Sequence, residues 1–306
     1  MMATEAEEEQ RSVHKPVLLH EVLTFLDPQP GNFIIDGTVD GGGHAAAIAE
    51  HIGPDGKLLG LDWDERLLER TRARFADQKN VVLLHGNYAD LPEILREHDL
   101  DKADGLLVDL GFSSEQLEAS GRGFSFGEPA KNEPLLMTYD DARSPVWQIL
   151  REENEESLAN IIYEFGGERM SRRIAKAIKD HGRRQGIMTA GALADVVREV
   201  LPGKYEHGRI DPATRTFQAF RIYANGELEN LKTLLHNLSE ILKPGGRVAI
   251  ISFHSVEDGI VKRAFQSLGK ESKLEIITKK PVEATREEIG ENPRSRSAKI
   301  RAARIL

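Results

Sequence analysis

Residues 33–44, Phe33-Ile34-Ile35-Asp36-Gly37-Thr38-Val39-Asp40-Gly41-Gly42-Gly43-His44, decide how this chain is read. FIID has the length and apolar content of a buried strand. The segment HAAAIAEHI, beginning at His44, reads as a helix. A glycine cluster between a strand and a helix is a nucleotide-type turn. Glycine lets the backbone approach a ligand closely, and a helix N-terminus favours a carboxylate or phosphate. In open α/β sheets, ligands lie outside the carboxyl ends of the strands. The glycines do not follow the G-x-G-x-x-G spacing of a dinucleotide site, which argues against an NAD-dependent oxidoreductase.

Outward from this turn the pattern repeats. KLLGLD (57–62) is predicted as a second strand ending in Asp62, where a carboxylate can accept hydrogen bonds from ribose hydroxyls. Asp64 is better placed to cap the next helix, whose Leu67, Leu68 and Phe75 fall on one face. VVLLH (81–85) and DGLLVDL (104–110) add two strands, with LPEILREH as a helix between them. The alternation predicts an α/β fold with a parallel sheet covered on both faces.

Residues 111–135 are rich in Gly, Ser and Pro and read as a long loop. From about 144 to 201 only helical patterns occur, as in an insertion. Residues 213–242 read as one long helix or a pair, stopped by KPGG at 243–246. RVAIISF (247–253), KLEIIT (273–278) and SAKIRAARI (297–305) are late strands around the helix VEDGIVKRAFQSL. SAKIRAARI alternates apolar and polar residues, as an edge-side antiparallel strand would.

Composition bounds the function. Hydrophobic residues are 40% and charged residues 30% of 306, a globular balance. No apolar run approaches the ~20 residues that span a bilayer. The opening MMATEAEEEQRS lacks the basic region and apolar core of a secretory signal. The absence of cysteine excludes disulfides, Cys-ligated zinc and thiol nucleophiles, and a cytoplasmic location is expected. A net charge of −9 argues against a general nucleic-acid coat protein. Locally, however, Glu168–Arg184 holds seven Arg or Lys against two Asp or Glu. That run is either a solvated helix face or a phosphate contact.

Finer motifs point to one family. HKPVLLHEVL (14–23), DGTVDGGGH (36–44), DLGFSSEQLE (109–118), RGFSF (122–126), ATRTFQAFRIYAN (213–225), SFHSVEDGIVK (252–262) and NPRSRSAKIR (292–301) occur in order. In these segments the chain resembles the bacterial RsmH (MraW) family, from His14 almost to its end. The resemblance implies a class I methyltransferase (Rossmann-like) sheet with a helical insertion domain. It implies S-adenosylmethionine as cofactor and N4 of a cytidine in the decoding region of 16S ribosomal RNA as methyl acceptor. The expected partner is 16S ribosomal RNA or the small ribosomal subunit, with no membrane partner and no metal. Oligomeric state is open, a dimer included. The expected division is a tail at 1–12, a methyltransferase domain at 13–125 and 212–306, and an RNA-substrate insertion at 126–211.

The cofactor contacts carried over are Gly42, Gly43, His44, Asp62, Tyr88, Asp109 and Gln116. Asp109 is also the catalytic candidate. An exocyclic amine has its lone pair delocalised into the ring, and an acceptor for its hydrogens localises that pair and takes a proton. Ser113, Ser114, Phe124, Arg215, Asn225 and His254 are the substrate-side candidates, with Phe126 and Arg221 beside them. Phe124 and Phe126 either stack on a flipped base or anchor the loop; Arg221 meets phosphate or an internal acid. Two departures stand out. Asp40 occupies a usual Gly position, and Pro134-Leu135-Leu136-Met137-Thr138-Tyr139-Asp140 replaces P-L-D-M-R-M-D, losing an acid and an arginine. A different methyl acceptor, or a catalytically degenerate RNA-binding assembly factor, are the alternatives.

Overall fold

The computed structural model describes residues 15–111, 120–202, 205 and 211–306. The chain divides into two compact units, one within 1–111 and 229–306, the other within 112–228.

The first unit opens with α1 (Leu19–Leu26), β1 (Phe33–Asp36), α2 (Gly43–Ile52), β2 (Lys57–Asp62), α3 (Glu65–Arg74), β3 (Val81–His85), α4 (Leu91–Glu97) and β4 (Ala103–Asp109). The second unit follows with α5 (Val146–Glu152), α6 (Glu155–Gly166), α7 (Ser171–Gly182), α8 (Ala190–Val200) and α9 (Thr214–Asn225). The chain continues through α10 (Glu227–His236), α11 (Leu238–Ile241), β5 (Leu242–Ser252), α12 (Ser255–Lys270), β6 (Leu274–Ile276), β7 (Val282–Glu283), α13 (Arg286–Glu291) and β8 (Lys299–Ile305).

The sheet order is β3-β2-β1-β4-β5-β8-β6, with β7 also on β8. β1 to β5 are parallel, whereas β8 runs antiparallel to β5, β6 and β7. The expected class I methyltransferase sheet is therefore present. β1 is buried along its whole length, as its unbroken apolar run requires. Leu67, Leu68 and Phe75 are all buried. Asp64 caps α3 by accepting from Arg66 N and Leu67 N.

The second unit packs α5 to α9 around a core that includes Leu158, Ile162, Ile174, Leu193, Val197 and Phe220. Its helix starts carry the expected signals: Asn154 caps α6 and Thr189 caps α8.

The structure differs from the sequence expectations in three places. The pattern at 213–242 is three helices, broken at Gly226 (φ 63°) and Asn237. Its last helix ends on an extended Leu242, and the KPGG glycines lie within β5, where the register with β4 shifts between Ala103 and Gly105. β8 is an interior strand between β5 and β6. Its alternation misleads because Arg301 is buried, with Nε donating to Asp258 Oδ1 at 2.6 Å and Nη2 to Oδ2 at 3.2 Å. Finally, the compact units divide at 111/112 and 228/229 rather than at 126 and 211, because α9 packs on α6. Among the described residues, no helix is long and apolar enough to cross a membrane.

The Arg301–Asp258 pair tests the β8–α12 packing. Removing one partner of a buried pair strands the other charge, so Asp258→Ala should cost about 3 kcal/mol in urea unfolding. Arg301→Met in the same chain should recover most of that loss. A double variant as unstable as Asp258→Ala would show that packing, not the stranded charge, sets the cost.

Candidate active site

Three adjacent parallel strands each end in an aspartate: β1 in Asp36, β2 in Asp62 and β4 in Asp109. Asp40, in the glycine turn, adds a fourth carboxylate. Its φ of 49° is left-handed, a conformation Asp tolerates better than most residues. The turn therefore survives the departure from Gly. Asp40 N donates to Asp62 Oδ2 at 2.8 Å, and Asp64 N donates to Asp62 Oδ1 at 2.8 Å. The second carboxylate is thus fixed by two backbone donors while each oxygen keeps further acceptor capacity.

Asp36 is fully buried. Its Oδ1 accepts from Thr38 N at 3.1 Å, and its Oδ2 has no hydrogen-bond partner among the described residues. Burial pushes its carboxyl up to about 8, the Thr38 N–H pulls it back, and the charges of Asp109, Asp62 and Asp40 add to the rise. Burial likewise pushes Asp62 up to about 7, against the N–H groups of Asp64 and Asp40. Sequence reasoning passed over Asp36 as a site residue. Its position as the last residue of the first strand was the available signal.

The glycines make room. Gly42, at φ 75°, is the N-cap of α2; a Cβ there would meet the Phe75 ring at 2.9 Å and Thr71 at 3.0 Å. A Cβ on Gly43 would meet Pro16 at 3.1 Å. A Cβ on Gly37 would come within 3.2 Å of Tyr88 Cβ, so half-buried Tyr88 sits against the tip of β1. Asp109 has a 16% exposed side chain; its backbone N donates to Thr38 Oγ1 at 2.7 Å. Buried His44 faces it, with Nδ1 3.9 Å from Asp109 Oδ2. Gly42, Gly43, His44, Asp62, Tyr88 and Asp109 are therefore gathered at one end of the sheet. Gln116, Ser113 and Ser114 lie outside the described residues.

The substrate-side candidates have other surroundings. Asn225 is fully buried; its Nδ2 donates to Met137 O and Arg221 O, and its Oδ1 accepts from Tyr139 N. It is a core tie within the second unit, not an open contact. Phe124 is buried and stacks on Tyr139 at 5.5 Å, and Phe126 packs on Phe217 at 4.5 Å. Both aromatics anchor their loop. His254 forms the N-cap of α12 in a reciprocal capping box with Glu257, so its ring is engaged by the helix start. Arg221 pairs with Glu227 through two 2.9 Å bonds. Arg215, with a 29% exposed side chain, has Nη1 4.0 Å from buried Glu168, which also accepts from Tyr205 OH. The segment that departs from the family pattern is held from inside. Arg122 donates to Thr138 O at 2.6 Å, Thr138 Oγ1 at 2.8 Å and Asp140 O at 3.1 Å.

A buried carboxylate oxygen without a donor, among three further carboxylates, asks for a positive charge. S-adenosylmethionine, with its sulfonium and ammonium, supplies one, and the residues fit it. Strand order, glycine turn and acidic strand tips together define a class I methyltransferase. The model of the MraW methylase family matches residues 11–306, and the chain belongs to that family. The ribosomal RNA small subunit methyltransferase H of Syntrophus aciditrophicus (strain SB) is 42% identical, over 95% of this chain and 97% of its own. The protein of the same name from Syntrophotalea carbinolica is 44% identical, over 96% and 98%. Among solved structures, a putative methyltransferase from Streptococcus mutans in complex with SAH aligns over 100% of both chains, with a TM-score of 0.42 and 13% identity.

The raised carboxyls give a signed prediction. Asp36 and Asp62 start from an ordinary value of 3.8 and rise on folding to about 8 and about 7. Between those values the folded chain binds more protons than the unfolded one, so stability falls as pH rises through the window. Asp36→Asn should flatten that fall in urea midpoints taken at about pH 5.5 and about pH 8. Equal falls in variant and wild type would remove Asp36 as a source.

Proposed function

We propose that this chain transfers a methyl group from S-adenosylmethionine to N4 of a cytidine in the decoding region of 16S ribosomal RNA. The observation that carries this reading is the near full-length identity, 42% and 44%, to proteins named for methylation of small-subunit ribosomal RNA. The choice of N4 rests on the motif resemblance and on a carboxylate at the tip of β4.

Bound S-adenosylmethionine supplies a methyl group on a sulfonium leaving group. The protein's work is to hold the donor and the acceptor amine in line. The first turn of α2 and the glycine turn receive the methionine end. Asp62, fixed by two N–H groups, would accept from the ribose, and Tyr88 would hold the adenine side. Asp36 provides negative charge that a bound cation draws into its ionised form. Asp109 accepts a hydrogen bond from the exocyclic amine, localises its lone pair and receives the proton it sheds.

The RNA is held by charge. α7 buries Ile174, Ala175 and Ile178. Arg172, Arg173 and Lys176 are exposed on it, with Arg169 before it and Arg183 and Arg184 after it. This basic stripe and Arg215 meet phosphates, contacts that position RNA without reading its sequence. With Phe124 and Phe126 inside their core, stacking on the flipped base falls to other groups.

The test uses methyl-labelled cofactor and small ribosomal subunits from cells lacking the activity. Label in N4-methylcytidine after digestion is expected, and Asp109→Asn should lower the single-turnover rate at saturating cofactor by more than its loss of cofactor affinity accounts for. Label in another nucleoside would overturn the acceptor, and no label at all would overturn the reaction. Separately, Arg172→Glu, Arg173→Glu and Lys176→Glu together should weaken RNA binding and flatten its salt dependence, by about one unit of slope for each phosphate no longer neutralised. An unchanged slope would return the stripe to a solvated face.

A further inference from the structure

The turn after β1 spends four successive N–H groups on its neighbours. Gly37 N donates to Leu107 O at 2.9 Å and Val39 N to Leu61 O at 2.8 Å, so alternate residues face β4 and β2. Thr38 N donates to Asp36 Oδ1 at 3.1 Å, and Asp40 N to Asp62 Oδ2 at 2.8 Å. Asp36 is in register with Leu107, so β4 runs on past the end of β1 by two residues, about 7 Å, to Asp109. In an evenly spaced parallel ladder the next rung from β4 toward β1 starts at Asp109 N. By that level β1 has ended and its chain is turning into the glycines. A side chain makes the rung instead: Asp109 N donates to Thr38 Oγ1 at 2.7 Å.

The other flank of the tip is held as well. Leu110 N donates to Ile251 O of β5 at 2.9 Å. Asp109 Oδ1 accepts from Gly111 N at 3.3 Å, an Asx-type contact. A Cβ on Gly111 would lie 2.6 Å from the Phe253 ring, so the chain leaves β4 close over that ring. Thr38 therefore supplies what the shorter strand lacks, an acceptor at the level of Asp109. Its β-branch restricts χ1 and keeps the oxygen in place.

We infer that Thr38 is a positioning residue for the methyl transfer, its hydroxyl closing the β1–β4 ladder at Asp109 N and so setting where the Asp109 carboxylate meets the acceptor amine. This rests on the proposed role of Asp109 toward that amine. In that step the nitrogen–carbon bond forms as the carbon–sulfur bond breaks, its electron pair going to sulfur, and the amine gives one proton to Asp109. No proton passes through Thr38, which acts by geometry alone. In-line displacement is sensitive to placement, and a shift of about 1 Å in a catalytic group costs on the order of 100-fold.

Two measurements on the full chain decide it, with Thr38→Val removing the acceptor at nearly constant shape and Thr38→Ser keeping it. First, amide hydrogen exchange is followed by NMR on 15N-labelled protein. The Asp109 amide should exchange about 10-fold faster in Thr38→Val and stay protected in Thr38→Ser, while the Leu110 amide, bonded to β5, stays protected in both. An unchanged Asp109 amide, or equal loss at Leu110, overturns a brace specific to this rung. Second, single-turnover methylation of small ribosomal subunits is measured at saturating labelled cofactor. Thr38→Val should lose about 10- to 100-fold, more than any change in its cofactor affinity, with the shape of the pH–rate profile kept. Thr38→Ser should return to within about 3-fold of wild type. A wild-type rate in Thr38→Val, equal losses in the two variants, or a loss confined to cofactor affinity would each overturn the positioning role. Should Thr38→Val fail to fold, Thr38→Ala carries the same expectations. A wild-type protein inactive on the RNA would sink the functional reading alone, leaving the exchange measurement to decide the brace.

Discussion

Like charges brought together out of water are the constraint on which this structure turns. Asp36, Asp62 and Asp109 end three neighbouring strands, and Asp40 joins them from the turn. In a folded chain such carboxylates must hold protons, gain backbone donors or receive a cation. Two of these are present in the folded chain and the cofactor would bring the third. Asp62 takes two N–H groups, Asp36 holds its proton to about 8, and a bound methyl donor would bring positive charge. The glycines follow from the same constraint. Only a chain without side chains at Gly42 and Gly43 passes between Phe75, Thr71 and Pro16 while keeping α2's first turn aimed at this end of the sheet.

Much of this was legible in the sequence. The first three strands fall where their apolar runs lie: β1 and β2 are buried and carry an unbroken signal, and β3 keeps such a run although it lies at the sheet edge with no buried residue. Asp62 and Asp109 were readable as strand ends, and Asp64 as a cap by its spacing from α3. Misreadings came where a residue's partner is distant in sequence. Arg301 looks like a solvent-side residue until Asp258 is placed against it. Asn225 looks like a motif residue for substrate until Met137 and Tyr139 close on it. His254 stands just past β5 and also caps α12, through Glu257 only three residues on. A short polar motif announces that a side chain is used, but not whether by ligand or by fold.

The second unit makes the same point with charge. A net charge of −9 hides a helix whose outer side is basic. Average composition reports on solubility, whereas recognition is set by which residues share a helix face. At Thr138 the segment is held by Arg122, whose guanidinium donates to Thr138 O, Thr138 Oγ1 and Asp140 O. That leaves the segment a structural part of its unit.

β8 lies between β5 and β6, although it is made after both. During synthesis the parallel half of the sheet has all its neighbours once β5 emerges, but β6 has none until residues 299–305 arrive. The chain just before β8 supplies Glu288, which accepts from Leu18 N, and Asn292, which donates to Lys15 O, beside the Pro16 that packs against Gly43. Closure of the sheet and completion of the site are therefore late, joint events. A ribosome-bound fragment lacking these residues would hold cofactor-turn elements in place and yet leave β6 unpaired, so the chain's topology makes closure of the sheet wait for residues 299–305.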